Sequence, residues 1–175
     1  PSAGNGSFIT GIKSLSSNFK FYDLEPDNDE IIMQDYLQYD FAKTKETFSN
    51  IHIIGNPPFG RQSSLAIKFI KKSCEFCDSV SFILPKSFKK ESLKKRFPLN
   101  FHLVIEIDLP DKSFLVEGEE YNVETVFQIW EKKITNRAAN EKLEPMNFVF
   151  VGKTENPDIS FRRVGVNAGI IDTNI

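Results

Sequence analysis

Apolar positions recur along this chain at two spacings, every second residue or every third to fourth. The stretches that keep one spacing predict its elements. Residues 8–15 can form a helix, and Phe19-Lys20-Phe21-Tyr22 predicts a short strand that runs into Asp23. Ile31-Ile32-Met33-Gln34-Asp35-Tyr36-Leu37 predicts another strand, again with an acid near its end. A charged linker over residues 41–48 leads to Ile51-His52-Ile53-Ile54-Gly55, whose length and β-branched content fit a buried strand. Leu65, Ala66, Phe69, Ile70, Ser73 and Cys74 then fall at helical spacing behind Ser63, a candidate N-cap. Ser79-Val80-Ser81-Phe82-Ile83-Leu84-Pro85 predicts a strand that Pro85 ends, because proline has no N–H for a ladder. Ser87 can cap a helix over residues 88–97. Two more strands, residues 102–108 and 123–130, flank a polar loop that carries Phe114.

The order of these elements predicts the fold class. Strands alternating with helices describe an α/β protein with a mostly parallel sheet. No helical spacing separates the last two strands, and their connection is too short for a helical crossover. They therefore close the sheet as an antiparallel hairpin. Residues 1–135 are expected to form one domain. Residues 136–175 are an extension, with a polar linker over 136–145 and candidate strands at 147–151 and 159–164 joined by a turn at Asn156-Pro157-Asp158.

Composition narrows the class. A chain of 175 residues can bury a core, and 40% hydrophobic with 26% charged residues is the balance of a folded soluble domain. No apolar run approaches the ~20 residues of a membrane span. No basic-then-apolar leader is present and no membrane partner is expected, and the two cysteines, read as reduced thiols, fit a cytoplasmic or otherwise intracellular protein best. The net charge of −2 gives no overall attraction to nucleic acid, so such binding needs a local patch. Cys74 and Cys77 form a single C-x-x-C, with His52 and His102 far off in sequence. We read the pair as buried thiols on one helix face, with no metal.

The distinctive chemistry lies just after Gly55, in Asn56-Pro57-Pro58-Phe59. Each proline fixes φ near −65° and lacks an N–H, so the backbone carbonyls here are held in place. Asn56 adds a side-chain carbonyl acceptor, and Phe59 adds a flat face for stacking. That set suits methylation of an amino group on an aromatic ring, a poor nucleophile because its lone pair is delocalised. The Asn56 oxygen and the Pro57 carbonyl can hold the two amino hydrogens and aim the lone pair at an electrophilic methyl. Orientation alone can contribute on the order of 7 kcal/mol at best.

Other features fall on the same rim. The run Pro1-Ser2-Ala3-Gly4-Asn5-Gly6-Ser7-Phe8 has the small residues of a turn that lets backbone approach a ligand closely. Asp23, after its strand, can accept two hydrogen bonds from a ribose diol, and Asp35 can accept from an adenine amino group with Tyr36 or Leu37 against the ring. All four features lie at carboxyl ends of predicted strands, where open α/β sheets bind ligands.

Together these residues resemble the class I S-adenosylmethionine-dependent amino-methyltransferases, and among them the adenine-N6 DNA methyltransferases. The stretch from Pro1 to Phe8 is similar to their cofactor motif, an acid followed by P-x-A-G-x-G-x-F, and Asn56-Pro57-Pro58-Phe59 matches their catalytic (D/N)-P-P-(Y/F). Residues 81–88 and 123–130 resemble the family's later strands, and the Phe114 loop stands where a family loop can help sandwich the target base. The resemblance covers residues 1–133, in the γ-type motif order. It implies a Rossmann-like class I methyltransferase fold whose first strand, with the acid that precedes the motif, is missing from the chain. It implies S-adenosyl-L-methionine as cofactor, with Pro1, Ala3, Gly4, Gly6, Phe8, Asp23, Asp35, Tyr36 and Asn56 around it. Catalysis falls to Asn56, Pro57, Pro58 and Phe59.

The activity implied is adenine-specific DNA methylation of the restriction-modification kind, with target adenine flipped out of its stack. Residues 136–175 are too few for the family's target-recognition domain, so a separate recognition domain or subunit is an expected partner. Nucleic-acid contacts are expected from Phe114, Arg61, Lys86 and Lys89. The last three belong to a basic run that also holds Lys68, Lys71, Lys72, Lys90, Lys94, Lys95 and Arg96, and Arg162 with Arg163 is a second candidate. A solvated helix face explains residues 89–96 as well. RNA amino-group methyltransferases, which act on adenine or guanine, and protein glutamine methyltransferases share the four-residue motif. A non-catalytic scaffold is the reading from another class. The glycine motif puts DNA ahead of RNA.

Overall fold

The computed structural model describes residues 1–175 apart from 117, 139–143, 153, 154, 156, 167, 174 and 175. It divides into two compact units, Pro1–Ala139 and Asn140–Ile175. In the first unit the strands are β1 (Phe21–Asp23), β2 (Ile31–Met33), β3 (His52–Gly55), β4 (Ser79–Pro85), β5 (Phe101–Asp108), β6 (Phe114–Val116), β7 (Glu119–Tyr121) and β8 (Thr125–Lys132). Its helices are α1 (Ile9–Leu15), α2 (Ala42–Thr47), α3 (Ser64–Cys74) and α4 (Glu91–Lys94), with 3₁₀ turns at Arg61–Ser63 and Lys86–Lys89. The second unit contains the antiparallel pair β9 (Ser160–Phe161) and β10 (Ile171–Asp172).

The main sheet is mixed, in the order β3-β4-β8-β5. β3 and β4 run parallel, as a helical crossover through α3 requires. β8 lies antiparallel between β4 and β5, so the predicted terminal hairpin is present. β1 and β2 form their own parallel pair. The central strand β4 is apolar because it is covered, and Val80, Phe82 and Leu84 are fully buried. α3 packs there through Ala66, Phe69, Ile70, Ser73 and Cys74, one stripe at helical spacing. On β8, Trp130 stacks on Phe97 with ring centroids 4.0 Å apart. The Trp130 indole N–H donates to Gln128, and the Gln128 amide donates to Glu106, so this buried polar chain is satisfied.

Several predicted elements differ from those observed. The stretch 41–48, read as a linker, contains α2. The Asp40 carboxylate accepts the Ala42 N–H at its start, but no α2 residue is buried, so apolar spacing could not reveal it. The strand begun at Ile31 stops at Met33, because Asp35 turns the chain by accepting the Leu37 N–H. The helix predicted over 88–97 is a 3₁₀ turn followed by the short α4. The loop with Phe114 is the hairpin β6–β7, whose strands are too short to show alternation. Ser63 stands at the start of α3 with φ 61° but makes no side-chain cap. In the extension, residues 147–151 form no strand. Asn147 has φ 66°, which breaks extended backbone, and only Ser160–Phe161 of the second candidate strand is paired. The turn expected at residues 156–158 includes Asn156, outside the described residues.

Because Trp130 anchors the stacked ring and the polar chain together, Trp130→Ala should cost about 3–5 kcal/mol in urea unfolding. Ile134→Ala, at a fully exposed position, should stay within about 0.5 kcal/mol of the parent.

Candidate active site

The glycine turn and the Asn-Pro-Pro-Phe turn meet at the carboxyl ends of β1 and β3. The Ala3 N–H donates to the Tyr22 carbonyl at 3.1 Å, and the Gly4 N–H donates to the Asp23 carboxylate at 2.8 Å. These bonds tie the turn to the carboxyl end of β1. The turn closes through the Gly6 N–H on the Ala3 carbonyl and leads into α1 through the Ile9 N–H on the Gly6 carbonyl. Gly6 has φ 89°, a backbone conformation that favours glycine, and a Cβ there would also displace the tip of the Ile9 side chain. On its other side the turn reaches β3. The Pro1 carbonyl oxygen lies where a Cβ on Gly55 would be.

Gly55 ends β3 and delivers Asn56 beside this turn. Pro57 is fully buried, Asn56 and Phe59 are half-buried and Pro58 is exposed. The side-chain oxygen of Asn56 is buried and accepts no hydrogen bond. A buried acceptor without a donor costs about 1–3 kcal/mol, and Arg137 Nε is the other such buried side-chain atom among the described residues. The turn after Phe59 is strained: Gln62 and Ser63 have φ of 53° and 61° without being glycine. Such backbone clusters at ligand sites.

The remaining predicted residues are placed unevenly. Asp23 is half-buried, and its second oxygen accepts the Glu25 N–H. With about four lone-pair directions it keeps room for a diol. Phe8 and Pro1 line a cavity of about 770 Å³ beside the glycine turn. Asp35 is half-buried beyond β2. Tyr36 is 4% exposed, stacked on Phe69 with centroids 5.3 Å apart and hydrogen-bonded to Ser73, so it belongs to the aromatic core.

Arg61 stands exposed just after Phe59. Lys89 pairs with Asp108 at 2.9 Å, Lys86 with Glu124 at 3.9 Å and Lys94 with Glu106 at 3.2 Å. The basic run is thus partly neutralised by carboxylates from β5 and the loop before β8, which are distant in sequence and invisible to a local charge count. Phe114 is half-buried on β6. Sequence reasoning did not single out Gly55, whose role comes only from the approach of Pro1. Burial pushes the Cys77 thiol up to about 12, and Cys74 higher, so neither supplies a thiolate. Among the described residues no cluster of His, Cys, Asp and Glu could hold a metal.

No protein-family model matches the chain, and no curated protein sequence matches it. Solved structures do resemble it. A candidate RNA methyltransferase from Pyrococcus horikoshii, PH1948, superposes with TM-score 0.53 at 16% identity, over 76% of this chain and 72% of that one. The 23S rRNA methyltransferase ErmE gives TM-score 0.53 at 11% identity, over 79% of this chain and 62% of that one. With the α/β layout and the mixed sheet, these define the fold as the Rossmann-like one of class I methyltransferases. No described helix is long and apolar enough to cross a membrane.

Gly55→Ala would drive a Cβ into the Pro1 backbone, and we expect a loss of about 1–3 kcal/mol in urea unfolding. Gly11→Ala, in open space on α1, should be neutral or gain up to about 1 kcal/mol in the same measurement.

Proposed function

We propose that this chain is a methyltransferase that acts on an exocyclic amino group of nucleic acid, and specifically on adenine N6 of DNA, with S-adenosyl-L-methionine as methyl donor. The observation that carries this reading is the buried, unpartnered Asn56 oxygen beside the glycine turn. An N–H of an aromatic amine is the donor that oxygen lacks. A hydroxyl or carbon acceptor would need no such group, whereas an amine conjugated to a ring gains from having its hydrogens held.

The site fits the cofactor. Its glycine turn is open at Gly4, where a Cβ would meet nothing within 4 Å, and Asp23 stands at the adjoining strand end. The sulfonium donor, when bound, supplies an electrophilic methyl group. Every other task falls to the chain. Gly4, Gly6 and Asp23 bound the cofactor pocket. Asn56 Oδ1 and the Pro57 carbonyl accept the amino hydrogens and turn the lone pair out of the ring plane. Phe59, with Phe114 as a second aromatic, offers a stacking face worth about 1–3 kcal/mol per base. Arg61 is the cation best placed for a phosphate beside the target. Both solved structures are named as RNA enzymes, so an RNA amino group is the second reading.

Incubation with labelled S-adenosylmethionine and either DNA or RNA, followed by digestion to nucleosides, tests this directly. The expected product is N6-methyldeoxyadenosine; methylated adenosine or guanosine from RNA would move the reading to the second substrate. Asn56→Ala should lower turnover by a factor of about 10²–10³ while weakening cofactor binding, measured by calorimetry, far less than that. A wild-type rate in Asn56→Ala would refute the mechanism.

A further inference from the structure

Pro57 and Pro58 have no N–H, so the Asn-Pro-Pro stretch cannot be held by backbone donors of its own prolines. It hangs between two anchors. At one end Gly55 pairs with Phe82 in the β3–β4 ladder. At the other the Phe59 carbonyl accepts the Leu65 N–H at 3.1 Å and the Ala66 N–H at 3.3 Å. Both donors belong to the first turn of α3, where a helix leaves its N–H groups without partners of its own. No side chain of Ser63 caps this helix, and the Phe59 carbonyl takes that part. The anchor is firm, because Ala66 and Ile70 are fully buried against the sheet and Phe69 nearly so.

Between Phe59 and α3 lie only residues 60–63, and in that span the chain turns back so that the helix amides meet the Phe59 carbonyl. The return is made with left-handed backbone. Gly60 has φ 68°, Gln62 has φ 53° and ψ 35°, and Ser63 has φ 61° and ψ 21°. Such backbone is disfavoured for any residue with a β-carbon, and Gln and Ser are not among the types that tolerate it best. The Ser63 N–H donates to the Gly60 carbonyl at 3.2 Å, and the Ser64 N–H donates to the Arg61 carbonyl, which closes the turn. Gln62 is exposed, and among the described residues none is hydrogen-bonded to its side chain. What this position contributes is its backbone.

We propose that Gln62 and Ser63 are positioning residues, whose left-handed backbone seats the Phe59 carbonyl on the first amides of α3 and so fixes the Phe59 ring relative to the Asn56 oxygen. The consequence for turnover rests on the methyl-transfer reading, in which a base stacked on Phe59 must present its amino group to Asn56. The seat itself does not.

The test compares Gln62→Gly, which keeps left-handed backbone open, with Gln62→Pro, whose ring fixes φ near −65° and forbids it. Hydrogen exchange is read at the Leu65 and Ala66 amides, with Ile70 and Cys74 as the check that α3 stays folded. In Gln62→Pro, exchange at Leu65 and Ala66 should rise on the order of tenfold or more while Ile70 and Cys74 keep the parent rate. With the nucleic acid that the parent chain methylates, its kcat should fall by about 10²-fold with cofactor binding by calorimetry unchanged. Gln62→Gly should match the parent in exchange and in kcat. If Ile70 and Cys74 also exchange faster in Gln62→Pro, Gln62→Val takes its place, since a β-branched residue opposes positive φ without forbidding it. Parent-like exchange at Leu65 and Ala66 in the folded variant would overturn the proposal. A loss of kcat in Gln62→Gly as large as in Gln62→Pro would also overturn it, because the side chain would then be the cause. A parent chain that methylates no nucleic acid would overturn the methyl-transfer reading, and the exchange at Leu65 and Ala66 would still decide the seat.

Discussion

The contact on which the site depends is between backbone and backbone: the Pro1 carbonyl oxygen against the α-carbon of Gly55. Two elements far apart in sequence can approach this closely only where no side chain intervenes. The contact joins the glycine turn, tied to β1 by Gly4 and Asp23, to the strand that carries Asn56. The contact sets where the glycine turn lies against the end of β3. α3 and β4 secure that strand from below, because their buried stripe fixes where β3 ends.

A folded chain normally satisfies its buried polar atoms, and this one satisfies difficult cases. The Trp130–Gln128–Glu106 chain is complete, and so is the Tyr36–Ser73 pair in the aromatic core. Among the described residues Asn56 Oδ1 and Arg137 Nε are the exceptions, and the first follows Gly55, against which the Pro1 backbone lies. The same residues that would serve an incoming amine reduce the stability of the free protein by about the cost of one lost hydrogen bond. The positive φ angles at Gln62 and Ser63 put further strain on the same turn.

The sequence was most legible where a residue's own covalent limits decide the structure. Pro85 ends β4 as predicted, and the spacing from Ala66 to Cys74 appears as the buried stripe of α3. The antiparallel order of β5 and β8 followed from the shortness of their connection. The elements that escaped, α2 and the β6–β7 hairpin, are short and exposed, so packing never imprinted a period on them. Tyr36 shows a different limit. A candidate beside Asp35 to pack on an adenine ring, it stacks on Phe69 in the aromatic core and also lines the cavity beside the glycine turn, two placements its sequence neighbours could not reveal. The lysine partners were also out of reach, because Asp108, Glu106 and Glu124 come from elements that only folding brings near.

The likeness to solved methyltransferases covers fold, and the chemistry rests on one acceptor atom. That atom can be examined while occupied. A crystal structure with S-adenosylhomocysteine and a short oligonucleotide containing a displaced adenine would locate the amino nitrogen. The account predicts that nitrogen about 2.7–3.2 Å from Asn56 Oδ1, with the ring against Phe59. An adenine bound with its amino group turned away from Asn56, the oxygen still unpartnered, would contradict it.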